Sequence, residues 1–134
     1  MKEIYAQVMD INEKFYSVFS SGDFRNMQDL WSKSVEVSVI HPGMPAIHGY
    51  TEVMQSWKQI LGSSGSMDIH CRNSRAYLYD NFAYVLCNEL VSGTRLVATN
   101  IYSRQSGKWL MVHHHAATEH TMSRVQTVPE GHLH

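Results

Sequence analysis

A chain of 134 residues, 43% hydrophobic and 17% charged, carries enough apolar material for one buried core and too little length for two domains of ordinary size. Its 11 basic and 12 acidic residues leave a formal net charge of −1 and are scattered, which excludes the basic stripe that a nucleic-acid backbone requires. No apolar run approaches the roughly twenty residues that span a bilayer, and the amino terminus opens an amphipathic helix rather than a signal peptide, so the sequence predicts a soluble, cytoplasmic protein without a membrane partner.

In chain order, Ile4, Val8, Ile11, Phe15, Val18 and Phe19 recur at steps of three and four and predict a helix over residues 2–20, ended by Ser21-Gly22. Asp23 then caps a second, short helix through Phe24, Met27, Leu30 and Trp31. Val35, Val37 and Val39 alternate with Glu36 and Ser38, the period of a half-buried strand over 35–40. Pro42 and Pro45 forbid further regular pairing in the loop that follows. Thr51 caps a third helix with Val53, Met54, Trp57, Ile60 and Leu61 on its apolar face, ended by Gly62-Ser63-Ser64-Gly65. Segments 67–79, 82–92, 94–105 and 108–117 alternate apolar and β-branched residues, with turns at Asp80-Asn81, Ser92-Gly93 and Ser106-Gly107, and so predict an antiparallel meander. Residues 118–134 lose the pattern and contain Pro129 and Gly131, so an extended or partly disordered tail is expected behind a single domain of residues 1–117.

Helices first and a long meander afterwards give an α+β domain: a curved antiparallel or mixed sheet wrapped around three helices as a cone, with a pocket at its open end. His41 stands at the end of the first strand, where an imidazole titrating near neutrality acts as general acid or base, or else merely satisfies loop backbone groups. On the last strand, strict alternation puts Leu110, Val112, His114 and Ala116 on one face and Trp109, Met111, His113 and His115 on the other. Consecutive strand residues point apart, so at most His113 and His115 share a metal; no third ligand stands at a recognisable spacing, and neither a metal nor a cofactor is expected. Asn100 lies among Val97, Ala98, Thr99 and Ile101, where a buried amide must find partners, either a ligand or a neighbouring loop. Trp31, Met54, Trp57 and Tyr102 read as core and cavity wall. Cys71 and Cys87 fall on adjacent strands out of direct register and read as reduced core thiols rather than a disulfide.

The order of Ser-Gly-Asp-Phe at 21–24, His-Pro at 41–42, Pro-Ala-Ile-His-Gly at 45–49 and Gly-Lys-Trp-Leu-Met-Val-His-His-His at 107–115 resembles the nuclear-transport-factor-two-like superfamily, which includes ketosteroid isomerases and SnoaL-type polyketide cyclases. The ending Gly-Lys-Trp-x-x-Val-His-x-His is also similar to the association domain of calcium/calmodulin-dependent protein kinase II, an oligomerising member. The resemblance covers the chain to about residue 117 and implies a cystatin-like cone. It places His41 where the isomerase has its catalytic aspartate, the isomerase tyrosine at Phe15 with Tyr16 adjacent, and the buried isomerase acid near Thr99 or Asn100. On that placement the tyrosine and acid that stabilise an enolate are missing, and steroid isomerisation is not expected.

The sequence therefore predicts a domain that binds a small, largely apolar molecule, with His41, Asn100 and His114 as catalytic or polar contacts. Phe15, Tyr16, Trp31, Met54, Trp57, Tyr102 and Val112 form the expected pocket lining, and His114 lies on the face that the resemblance assigns to the pocket. The chemistry expected is proton transfer without a cofactor, of isomerase, dehydratase or cyclase type. A non-catalytic ligand sensor and an oligomerisation module are the alternatives, and a homodimer through the outer sheet face is expected.

Overall fold

The computed structural model describes residues 2–64 and 67–120. Helix α1 runs from Lys2 to Ser21 and buries Val8, Asn12, Phe15, Tyr16, Val18 and Phe19 along one stripe. Gly22, at φ +71°, ends it, with the Gly22 N–H donating to Phe19 O and the Asp23 N–H to Val18 O, the paired bonds of a Schellman stop. Asp23 then caps α2, Phe24–Leu30, by accepting from the Asn26 N–H at 3.1 Å. Trp31 falls just outside α2 and bridges Met111 instead.

Strand β1 covers Ser38–Ile40, three residues shorter at its start than the alternation of valines predicts. The Ser32 hydroxyl accepts from the Ser34 and Val35 N–H groups, a side-chain turn that keeps the preceding backbone off the sheet. A two-residue strand, β2 (Ile47–His48), was not expected; it folds the proline loop back so that Ser38 faces His48. Helix α3, Tyr50–Ser64, begins before Thr51: Gly49, at φ +88°, occupies the cap position and its carbonyl accepts from the Val53 N–H. The helix also continues through Gly62 rather than ending there; Gly65 lies outside the described residues.

Strands β3 (Ile69–Leu78), β4 (Phe82–Val91), β5 (Thr94–Gln105) and β6 (Lys108–Thr118) form the expected antiparallel meander. The Ser92-Gly93 and Ser106-Gly107 turns have both residues at positive φ, as a two-residue hairpin with right-handed strand twist requires. β1 joins β6 in parallel, so the six strands lie in the order β2-β1-β6-β5-β4-β3, a mixed sheet with β3 on an edge. The three helices pack on one face, α1 against β3, β4 and β6 and α3 against β1 and β2. Strand β6 includes Thr118 and the Glu119 N–H donates to Arg95 O; residues 121–134 of the expected tail lie outside the described residues.

A bulge corrects the face assignment on β6. Asn100 pairs with His114 and Ile101 with His113, but Tyr102 pairs with Met111, leaving Val112 as the extra residue. The phase flips there, so Trp109 and Met111 point inward together with His114 and Ala116, whereas Leu110 and Val112 are only half-buried. Phe15, Phe19 and Trp57 close the centre with edge-to-face contacts at 4.9–5.8 Å between ring centroids. Such pairs add about 0.5–1.5 kcal/mol each beyond the area they bury. Among the described residues no helix is long and apolar enough to cross a membrane.

Candidate functional site

Into this apolar centre the sequence delivers six polar side chains. The stripe of α1 carries Asn12 and Tyr16 in line with Val8; the inward phase of β4 reads Val85, Cys87, Glu89; β5 contributes Asn100 and Tyr102, and β6 contributes His114. Asn12, Tyr16, Glu89, Asn100, Tyr102 and His114 are each exposed by 4% or less.

Their hydrogen bonds fix one another. The Tyr102 hydroxyl donates to Asn12 Oδ1 at 2.7 Å, and Asn100 Nδ2 donates to the same oxygen at 2.9 Å. Asn100 Nδ2 also donates to the Tyr16 oxygen at 3.1 Å, and the Tyr16 hydroxyl donates to Glu89 Oε2 at 2.6 Å. With the amide of Asn100 so oriented its Oδ1 is an acceptor, and the contacting His114 Nδ1 is therefore a donor. In the neutral ring this leaves a lone pair on His114 Nε2, which lies 3.7 Å from Glu89 Oε2.

Burial sets the charge states. It pushes the Glu89 carboxyl up from the ordinary carboxylate range, the Tyr16 hydrogen bond opposing this in part. It holds the Tyr16 hydroxyl well above, and the His114 imidazole well below, their ordinary values; His41, His113 and His115 depress His114 further. Burial thus favours the neutral forms of both His114 and Glu89 over an ion pair between them.

His41 stands apart from this network. Its Nε2 lies 3.0 Å from the Ser56 hydroxyl, whose proton already goes to Val53 O, so Nε2 is the donor and Nδ1 carries the lone pair. Burial lowers His41 to a pKa of about 4. Both histidines pack on the Trp57 ring, 5.0 Å from His41 and 5.7 Å from His114 between centroids. The structure therefore brings Asn100, His114, Tyr16 and Tyr102 together and leaves His41 outside their hydrogen bonds, on Ser56. Phe15 packs on His114 at 5.0 Å, while Trp31 and Met54 are buried in the core and Val112 occupies the bulge. The indole N–H groups of Trp31 and Trp57 are buried and find no acceptor among the described residues.

Open space reaches the network from a direction the sequence did not suggest. A groove of about 410 Å³ runs between α1 and β3, lined by Asn12, Tyr16, Cys71 and Ser74 among others. His41, Asn100 and His114 do not line it. A second groove, of about 460 Å³ beside Trp31 and Trp109, holds none of the network residues.

Residues 8–118 match the SnoaL-like domain family. The chain belongs to that family. As a SnoaL-like domain it superposes on a candidate dehydratase of the NTF2-like family from Streptomyces avermitilis with a TM-score of 0.82 at 26% identity, over 90% of this chain and 99% of that one. The association domain of calcium/calmodulin-dependent protein kinase II from C. elegans shares the fold, with a TM-score of 0.74 at 16% identity over 87% of this chain and 97% of that one. The F-box protein SKIP8 of Arabidopsis thaliana is 29% identical over 121 residues, 87% of this chain and 52% of that protein, so the SnoaL-like chain spans about half the length of this relative.

One inference from the resemblance is corrected by the geometry. A buried tyrosine and a buried acid are present after all, as Tyr16 and Glu89 rather than at Phe15 and near Thr99 or Asn100. The signal for Glu89 was its phase: it follows Val85 and Cys87 on the inward face of β4, as Asn12 follows Val8 on α1.

Proposed function

We propose that this SnoaL-like domain takes a small, largely apolar molecule where the α1–β3 groove meets the interior network, and carries out proton transfer on it without a cofactor, of the isomerase, dehydratase or cyclase type. The observation that carries this reading is Glu89, a carboxyl at 2% exposure held by Tyr16 at 2.6 Å and faced by the lone pair of His114 at 3.7 Å. A core of this size folds without such a group; each buried polar group costs free energy unless fully paired, and apolar replacements are often neutral or stabilising. A carboxyl whose neutral form is favoured by an apolar site is instead suited to donate to a developing oxyanion. Asn12 and Tyr16 are common to groove and network, and of the two Tyr16 holds Glu89, so a ligand oxygen meets the acid beside Tyr16. His114 receives the proton, Asn100 holds its tautomer, and His41 and the Trp57 N–H, which has no acceptor among the described residues, supply further polar groups beside the aromatic cluster. The likeness to the candidate dehydratase supports the same reaction class.

The second reading is an assembly module, favoured by the aromatic ladder on the outer sheet face, where Tyr77 stacks on Tyr84 at 4.8 Å and Tyr79 on Phe82 at 4.7 Å. That face is also where we place the homodimer, whichever chemistry the interior performs. Native mass spectrometry of freshly purified protein, followed by denaturing extraction, separates the two readings. The ligand reading expects a dimer that retains an apolar small molecule, and expects Tyr16→Phe to lose it. An empty assembly of more than two copies, unchanged by Tyr16→Phe, would replace it with the assembly reading.

A further inference from the structure

The α1–β3 groove has a feature that proton transfer does not use. Cys71, half-buried in its wall, and the buried Cys87 on the neighbouring strand are both free thiols and face the same stretch of α1: the Cys71 sulfur lies 3.7 Å from Asn12 Nδ2 and the Cys87 sulfur 3.3 Å from the Tyr16 hydroxyl, and those two helix residues are one turn apart. Direct register would keep them apart, because Cys71 pairs with Glu89 and Cys87 lies two residues further along β4. A bulge between Arg72 and Arg75 breaks that register opposite Cys87, with Asn73 at φ +59°.

We propose that Cys71 and Cys87 form a peroxide-sensitive dithiol, Cys71 being the thiol that is oxidised first and Cys87 the one that resolves it into an intramolecular disulfide. The roles follow from the surroundings. Cys71 opens on the groove, and its sulfur lies 3.0 Å from the Ser74 hydroxyl and 3.7 Å from Asn12 Nδ2, two donors suited to a thiolate. Cys87 is the largest influence lowering the Cys71 thiol, and Cys71 in turn raises Cys87. The Cys71 thiolate attacks a hydroperoxide, breaking the O–O bond; one oxygen is left on sulfur as the sulfenic acid and the other leaves as hydroxide or alkoxide, which takes up a proton. Cys87 then attacks the sulfenic sulfur, the S–S bond forms, and water leaves with the Cys87 proton. In sum two thiols are oxidised and one hydroperoxide is reduced. Bringing the two sulfurs to a bond of about 2.05 Å requires β3 to move toward β4. β3 is an edge strand, unpaired on its outer side and irregular next to Cys71, so the shift is opposed by its packing on α1 and not by a second neighbouring strand. The Cys87 sulfur also lies 3.3 Å from the Tyr16 hydroxyl, so oxidation withdraws a neighbour from the residue that, on the reading above, meets the ligand.

The test needs no substrate. Wild-type protein is exposed to hydrogen peroxide at a dose that oxidises N-acetylcysteine, and its peptides are mapped so that methionine oxidation is counted separately. The expected product is one linked Cys71–Cys87 peptide, lighter by about 2 Da and restored by dithiothreitol. Cys87→Ser should instead give a sulfenic acid at Cys71 that dimedone traps, and Cys71→Ser should leave Cys87 reduced. Thiols that survive the dose in wild-type protein, over-oxidation of Cys71 without a link, or links only between two copies would each overturn the proposal.

Discussion

Tyr16 and Glu89 illustrate how one residue pair sets the character of the whole interior. Removing the hydroxyl in Tyr16→Phe leaves the buried Glu89 carboxyl without its donor, and the expected cost is about 1–3 kcal/mol of stability, read from urea unfolding. Glu89→Gln keeps the shape and an acceptor for Tyr16, so its stability should stay within about 1 kcal/mol of wild type while any proton-transfer activity is lost. The histidines supply a pH signature. His41, at about 4, and His114, well below 6.5, stay neutral in the folded state while the unfolded chain protonates near 6.5. Their contribution to stability is therefore complete above pH 6.5 and is lost as pH falls toward 4. Each adds a slope of up to about 1.4 kcal/mol per pH unit in that window. Glu89 has the opposite sign: with its folded pKa raised, its contribution is complete below the unfolded value of 4.5 and is lost as pH rises through the folded one. Urea midpoints measured between pH 7 and 4.5 should fall with pH, and less steeply in His41→Gln; a profile unchanged by that substitution would contradict the burial of a neutral His41.

At the scale of elements, Gly62 and Gly107 separate two uses of glycine. Gly62 is exposed inside α3 with nothing within 4 Å of an added Cβ, so Gly62→Ala should stabilise by about 0.5–1 kcal/mol. Gly107 sits at φ +77° in the β5–β6 turn, and Gly107→Ala should destabilise by about 1 kcal/mol despite equally open space. Thermal unfolding of the two variants should move in opposite directions. These elements also show what a sequence can carry. The four meander strands and α1 were legible because their periods of two and three to four extend over ten residues or more. β2 was not legible, because two residues have no period, and neither were the bulges on β3 and β6, because an extra residue is a property of pairing between strands. The bulge at Val112 decides which β6 residues face inward, so Asn100 and His114 could be picked out by residue type while their partners could not. Glu89 was visible in principle as an acid in an apolar phase.

For the whole molecule, the two sheet faces divide the work. The inner face carries the polar network, and the outer face exposes Phe82, Leu86 and Val97 beside the stacked tyrosines. A homodimer through this face should be broken to a monomer by Leu86→Arg combined with Val97→Arg, as read by light scattering, with the far-ultraviolet circular dichroism unchanged. The interior account rests on a carboxyl that keeps its proton beyond the ordinary range, next to a neutral imidazole. Infrared difference titration of wild type against Glu89→Gln tests this most directly, since the carbonyl stretch of a protonated carboxyl reports that residue alone. The account predicts a Glu89 band that titrates with a midpoint above the ordinary glutamate value of 4.5. A midpoint at or below that value would mean that Glu89 is an ordinary carboxylate and that the interior holds no poised acid.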